Sequence, residues 1–348
     1  MPTTNLTIYL KWHLSFLILL ALTFNCNSLH SQNISKNNID NLIDIALSRS
    51  EKALYKAEFT RARETIRLAN FNNSRGFNKT HEIALTIQDI RIENFQGIVY
   101  NLKTNSNKNF QRLNKLFKSA ILLNDKNIKG DYFLALSAAY QSIREIDSAL
   151  IYRDKATQLF LDNNNFGKIA IIRSSNISRI HNSLFHEGKK SEILELIPEY
   201  KIEIKFSSIH SKYALAYNTR HLAQIYRRQT QNYQESLKLF KTSLFLRKAI
   251  KFKIFLPASY SSIGDVYLKL EAYASAIRMY KKASKLAISI GFVRYQSYPH
   301  EKIGDIYLIK GNIEKALKHY KLALKYASKN NYIIGISNAK EKLKTSIK

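Results

Sequence analysis

Two stretches near the C-terminus repeat each other almost residue for residue, and this repetition limits what the chain can fold into more than any other feature. Ser262-Ile263-Gly264-Asp265-Val266-Tyr267-Leu268 is matched forty residues later by Lys302-Ile303-Gly304-Asp305-Ile306-Tyr307-Leu308. Nine residues after each tyrosine stands Ala276 or Ala316, followed by Tyr280 or Tyr320 and then Ala283 or Ala323. Stepping upstream by forty to forty-five residues recovers weaker copies. The small residue returns as Ala223, Ser178, Ser137 and Gly97, with a ring three places on at Tyr226, His181, Tyr140 and Tyr100. The second half of the unit returns as Ser236/Phe240/Ser243, Ala149/Arg153/Ala156 and Leu113/Phe117/Ala120, and Ala62/Ile66/Ala69 marks a degenerate unit from Asn38 to Asn70. A sustained period of this length means one supersecondary unit copied along the chain.

Within each half the apolar positions fall at i, i+3, i+4 and i+7, the single stripe of an amphipathic helix, so each unit is two helices. The small residues let antiparallel backbones approach closely while a large ring fills the space beside them. Lys269 to Glu271 and Lys310 to Asn312 supply turns, and Gly311-Asn312 suits a helix end. One helix pair cannot bury both its faces, so neighbours must stack, and contacts are expected only between adjacent units, with no shared globular centre. Only 10 Gly and 4 Pro among 348 residues argue against a many-stranded β protein. The predicted fold is all-α: a right-handed α-solenoid of stacked antiparallel helix pairs, with six to seven repeats over 38–330. Residues 331–348 read as a capping helix, Ile334, Leu343 and Ile347 inward and lysines outward.

The N-terminus has a different character. Lys11 and His13 precede an apolar run from Leu14 to Phe24, and small residues follow at Ser28 and Ser31. This is the layout of a secretory signal peptide over residues 1–31, with cleavage after Ser31 making Gln32 the new N-terminus. The run falls short of the roughly 20 apolar residues that span a bilayer. The single cysteine, Cys26, lies in this segment, so the mature chain is expected to have neither disulfides nor thiol chemistry. Thr23-Phe24-Asn25 lacks the small residue that precedes a lipidated cysteine, so lipid anchoring at Cys26 is the weaker reading. No later stretch reads as membrane-spanning. The expected location is outside the cytoplasm, periplasmic or extracellular.

The pattern of small residue, tyrosine three on, then alanine, aromatic and alanine resembles the tetratricopeptide repeat, most clearly from Pro257 to Ile290 and from Tyr298 to Asn331. The fit is moderate over Ala216 to Ile250 and weaker upstream. The period departs from the family's usual length of about 34 residues, which implies longer helices. The aromatic often found at the repeat's fourth position is Tyr260 in one copy but His300 or Thr219 in others. The resemblance implies a concave face lined by the first helix of each pair, for holding a protein or peptide. Carried onto this sequence, that frame selects Arg91, Asn94, Asn101, Gln141, Arg179, Asn182, Arg220, Gln224 and Arg227. Arginine and asparagine there suit the carboxylates and backbone amides of an extended, acidic peptide, because guanidinium grips carboxylate in a bidentate way.

The sequence gives no sign of an enzyme, and no cofactor or metal is expected. There is no glycine-rich phosphate loop and no His-x-x-x-His pair, and His181 with His186 is poorly spaced for a shared metal. The formal charge of +29 is spread along the chain, which suits a solvated lysine-rich surface better than a nucleic-acid site. The 21 Tyr and 18 Phe fall largely at repeat slots, as packing rings rather than a stacking platform for bases. The leading expectation is a non-enzymatic, protein- or peptide-binding scaffold acting outside the cytoplasm. The alternative is the sensory input module of a bacterial signalling regulator, in a truncated or stand-alone form.

Overall fold

The computed structural model describes residues 36–76, 78–102 and 105–346. Among these the chain forms sixteen α-helices and one short 3-10 turn, with no strand. Helix α1 (Lys36–Tyr55) pairs with α2 (Phe59–Gly76), and α3 (Lys79–Tyr100) is followed by a second helix broken at Leu116 into α4 (Ser106–Lys115) and α5 (Phe117–Ile121). Then come α6 (Lys126–Ser142) with α7 (Ile146–Asp162), α8 (Phe166–His186) with α9 (Lys190–His210), and α10 (Lys212–Arg228) with α11 (Tyr233–Ala249). The last pairs are α12 (Leu256–Lys269) with α13 (Tyr273–Ile290) and α14 (Arg294–Ile309) with α15 (Ile313–Lys329), and α16 (Ile333–Thr345) ends the stack. The expected leader over 1–31, Cys26 and Ile347 lie outside the described residues.

The repeated residues sit where the two helices of a pair cross. A Cβ at Gly264 would lie 2.7 Å from the Tyr280 ring, and one at Gly304 2.5 Å from the Tyr320 ring, so each glycine is the hollow that seats a ring from the opposite helix. The next residue completes the seat: Tyr280 donates its hydroxyl to Asp265 at 2.8 Å, and Tyr320 donates to Asp305 at 2.9 Å. Both rings are fully buried, so an unpaired hydroxyl there would cost about 1–3 kcal/mol. At several crossings a serine stands in for one of the small residues, and its hydroxyl bonds across to a backbone carbonyl. Ser50 donates to Ala62, Ser137 to Ala149 and Ser236 to Ala223, at 2.6 to 3.1 Å. The same junction is therefore built with glycine and a ring, or with serine and a carbonyl.

Most turns within pairs follow one rule. Gly311 has φ 69° and Glu271 φ 56°, both left-handed, and the next amide reaches back five residues, Asn312 to Tyr307 at 2.8 Å and Ala272 to Tyr267 at 2.9 Å. This satisfies carbonyls that a helix end leaves open. Asparagine caps the following helix: the Asn232 side chain accepts from the Glu235 amide, and that of Asn312 from Lys315.

Neighbouring pairs are joined by polar links as well as packing. Asp265 accepts from Tyr280 and Tyr298 through one oxygen, both at 2.8 Å, and pairs with Arg227 at 2.7 Å through the other. It thereby ties α10, α13 and α14 to α12.

Two expectations need correction. The contacts are not confined to adjacent units, because the superhelix comes round far enough for its start to meet a later turn. The Val293 amide donates to the Val99 carbonyl at 2.9 Å, and the Tyr100 ring lies against Gly291. Ile43, Leu54, Leu85 and Val99 from the first three helices share one buried cluster with Phe252, Ile254, Ala287 and Phe292. Most of the later residues in this seam lie in the links between pairs, outside the repeated positions, and a search for periodicity gives such positions no weight. The second correction concerns α16. Ile334 is not inward but 63% exposed, and the buried residues are Gly335 and Ala339. Close packing on α15 demands small side chains at that face, as it does at every other crossing.

Candidate functional site

First helices line the inside of this ring. The end of α3, the first half of α10 and the starts of α12, α14 and α16 converge on a cavity of about 500 Å³. Ring closure supplies part of its wall, since Ile98 and Asn101 at the end of α3 line it together with Tyr213, Tyr217 and Arg220 of α10. Apolar walls come from Phe252, Phe255 and Phe292, which belong to the same links that make the seam.

The polar part of the cavity is cationic. Arg247, at the end of α11, is 4% exposed, and its Nη1 donates to Ser259 Oγ at 2.6 Å and to the Phe255 carbonyl at 3.3 Å. Burial, with Arg220 nearby, pushes its pKa down to about 9. Arg220 itself is lowered by burial, against which the hydroxyls of Tyr295 and Tyr217 act. Besides burial, the strongest electrostatic influences on these two arginines come from tyrosines and other arginines. No carboxylate among the described residues forms an ion pair with either one. Two guanidinium groups drawn from water, with no carboxylate paired to either, lack the partner they bind best.

Neutral histidines extend the polar surface. Arg220 donates to His221 Nε2 at 2.9 Å, which places the His221 proton on Nδ1. That atom is buried with no partner among the described residues. His181 shares a 3.2 Å hydrogen bond with the Tyr200 hydroxyl, and burial, together with Arg220 and Arg228, lowers its pKa to about 4. His221 is likewise held well below its ordinary value by burial and by Arg220. Near neutral pH the positive charge in this region therefore rests on arginine alone. Among the described residues no three His, Cys, Asp or Glu side chains come together as a metal site.

The residues selected from sequence are scattered over the inner surface, and two of them, Asn101 and Arg220, meet at the cavity. Asn101 ends α3 in the left-handed conformation at φ 55°. Arg91 bonds Glu51 at 3.3 Å and Gln88 at 3.0 Å, yet is near enough to act on Tyr213 in the cavity wall. Arg227 is engaged by Asp265 and is 14% exposed, so its charge is already matched. Arg179 is half-buried with its Nε unpartnered among the described residues. Asn94 and Asn182 are exposed, Gln224 is half-buried, and Gln141 accepts from Arg153 at 3.4 Å. Sequence reasoning missed Arg247 because it lies on a second helix. Its signal was the stripe Ser236, Phe240, Ser243, Arg247, where a charge occupies the next buried position.

Comparison with known proteins agrees with this geometry. Tetratricopeptide repeat family models match residues 213–289 and 300–330. The chain carries tetratricopeptide repeats over these residues. A solved structure of a signal transduction ATPase with numerous domains and a tetratricopeptide repeat sensor, from Pyrococcus horikoshii, is similar with TM-score 0.58 at 16% identity. That match covers 90% of this chain and 48% of the other. The Cut9–Hcn1 hetero-tetramer of the APC/C gives TM-score 0.56 at 15% identity, covering 96% of this chain and 53% of that one. The chain spans about half the length of both structures. At such identities the likeness concerns the fold. No curated protein matches by sequence. As a tetratricopeptide repeat array the chain is a scaffold for protein interaction. No described helix is long and apolar enough to cross a membrane.

Proposed function

We propose that this tetratricopeptide repeat protein acts outside the cytoplasm and holds an acidic peptide or protein segment along its inner surface. The observation that carries the reading is the lack of acid partners for the inward-facing Arg220 and Arg247. Elsewhere some arginines are matched, Arg227 by Asp265 and Arg173 by Glu203, while the buried Arg153 is met by the amides of Asn176 and Gln141. A protein keeps desolvated cations unmatched at a cost in stability, and that cost is recovered when an anionic partner arrives. The location rests on the leader-like segment from Lys11 to Ser31.

The test is an immobilised array of extended peptides, each acidic sequence paired with its Glu→Gln and Asp→Asn counterpart. Acidic members should be retained by the wild-type chain and released by Arg220→Glu with helicity unchanged. Equal retention of the neutral counterparts would end the proposal. Location is checked by fractionating cells and sequencing the N-terminus of the mature chain, which should begin near Gln32. A sensory role is the second reading, favoured by one feature: the ring closes over a cavity of ligand size at a seam between distant segments. A membrane or output module encoded in frame downstream would decide for it.

A further inference from the structure

The cavity at Arg220 and Arg247 has the size and lining to take a compact ligand as well as a side chain of a bound segment. Here the wall of α3 is held across the space by the Val99–Val293 hydrogen bond and by the Tyr100 ring against Gly291. What remains is a chamber of about 500 Å³, inside the range of about 300–1,000 Å³ in which small organic ligands are buried. Its lining is both cationic and aromatic. Arg220 and Arg247 stand among the rings of Phe252, Phe255 and Phe292, and the Arg247 guanidinium lies 5.6 Å from the centre of the Phe255 ring.

We infer that this chamber is a binding site for a small organic acid, its carboxylate taken between Arg220 and Arg247 and its apolar body packed on the phenylalanine rings. The carboxylate supplies the counter-charge that no described residue gives these two arginines. Arg247 is held for this task, since Ser259 and the Phe255 carbonyl fix Nη1 from behind, and a guanidinium offers five donors in a rigid fork. Tyr213, Tyr217 and Tyr295 bring hydroxyls into the same wall. The Tyr213 hydroxyl keeps its proton near neutral pH, its pKa pushed up to about 12 by burial. The chamber wall is drawn from α3, from α10 to α12, and from α14 and α16, so a bound acid touches both sides of the seam and strengthens ring closure. This inference goes beyond peptide capture and does not depend on it.

The test uses the full chain with three probes: 3-phenylpropionate, the uncharged 3-phenylpropan-1-ol and inorganic phosphate. Calorimetric titration and thermal unfolding should show binding and a raised melting temperature with the acid. The alcohol should bind about tenfold more weakly or worse, the loss expected for one charge-assisted contact. Phosphate should bind more weakly than the acid, for want of an apolar body. Arg220→Gln should weaken the acid by about tenfold, whereas Lys238→Gln, removing an exposed lysine of α11, should leave it unchanged. Acid and alcohol binding alike, phosphate matching the acid, or Arg220→Gln matching the wild type would each overturn the assignment. The comparison of probes on the wild-type chain stands even if the variant folds poorly.

Discussion

Replacing Gly304 with alanine sets two general effects against each other, and the structure fixes the sign. Helix propensity alone favours alanine over glycine by about 1 kcal/mol within a helix. Against this, the new methyl carbon would stand 2.5 Å from Tyr320 Cε1 and 2.7 Å from Cδ1, well inside ordinary contact. The ring is fully buried, and its hydroxyl is anchored on Asp305 at 2.9 Å, so it cannot withdraw without straining that bond. Overpacking of this kind costs about 1–3 kcal/mol, and loss of the tyrosine hydrogen bond adds about 1 kcal/mol. The net effect should be a destabilisation of about 1–3 kcal/mol after the propensity gain is subtracted. Urea unfolding followed by circular dichroism should show an earlier transition, and because repeat arrays need not unfold in two states, hydrogen exchange in α14 and α15 gives a local check. Adding Tyr320→Leu makes room for the methyl group, so the pair should show a coupling of at least about 1 kcal/mol. A neutral or stabilising Gly304→Ala would refute the crossing geometry, and Gly264 with Tyr280 should behave alike.

Asp265→Ala removes the carboxylate shared by Arg227, Tyr280 and Tyr298, and should cost about 3 kcal/mol, with limited proteolysis between α11 and α14 accelerated. Phe252→Ala strips the seam of a ring that packs on Tyr55, Phe95, Tyr213 and Phe255; solution scattering should show a larger radius of gyration at unchanged helicity, and an unaltered curve would mean the seam does not hold the ring closed. Glu301 is raised to about 7, chiefly by burial, with Lys302 opposing and Asp305 adding. Its folded value lies above its unfolded one, so the folded state binds the extra proton and stability falls as pH rises from about 4.5 to about 7. Glu301→Gln should therefore gain stability relative to the wild type at pH 8 but not at pH 4, by about 2 kcal/mol. Buried histidines such as His300, lowered to about 4 by burial and by His319, act in the opposite direction and cost stability as pH falls below about 6.5.

The parts of this fold that were legible in the sequence are those that repeat. Gly264 and Gly304 mark crossings because a close approach admits few residue types, and Ala62/Ile66/Ala69 located α2 for the same reason. Helix α9 was not recovered from the register, since it buries Ile193, Leu196 and Tyr200 in place of the small-ring-small pattern and carries Pro198 within its length. The seam was invisible on other grounds: Phe252, Ile254 and Phe292 owe their burial to a segment some two hundred residues earlier, and no local period encodes that meeting. Part of the site could be read, because Arg220 lies on the face that the family resemblance turns inward. Whether an arginine there is free or matched depends on contacts between units. Arg227 and Arg220 looked equivalent until Asp265, from the next pair, proved to engage only the former.

Closure of the ring has a bearing on how such a chain can change over generations. An array open at both ends can gain or lose a module, since only the new neighbours must fit. Here an added or deleted module would rotate Val99 and Tyr100 away from Val293 and Gly291, and would expose the aromatic cluster behind them. Copy number is thereby tied to curvature, and substitutions inside modules are tolerated more readily than changes in their count.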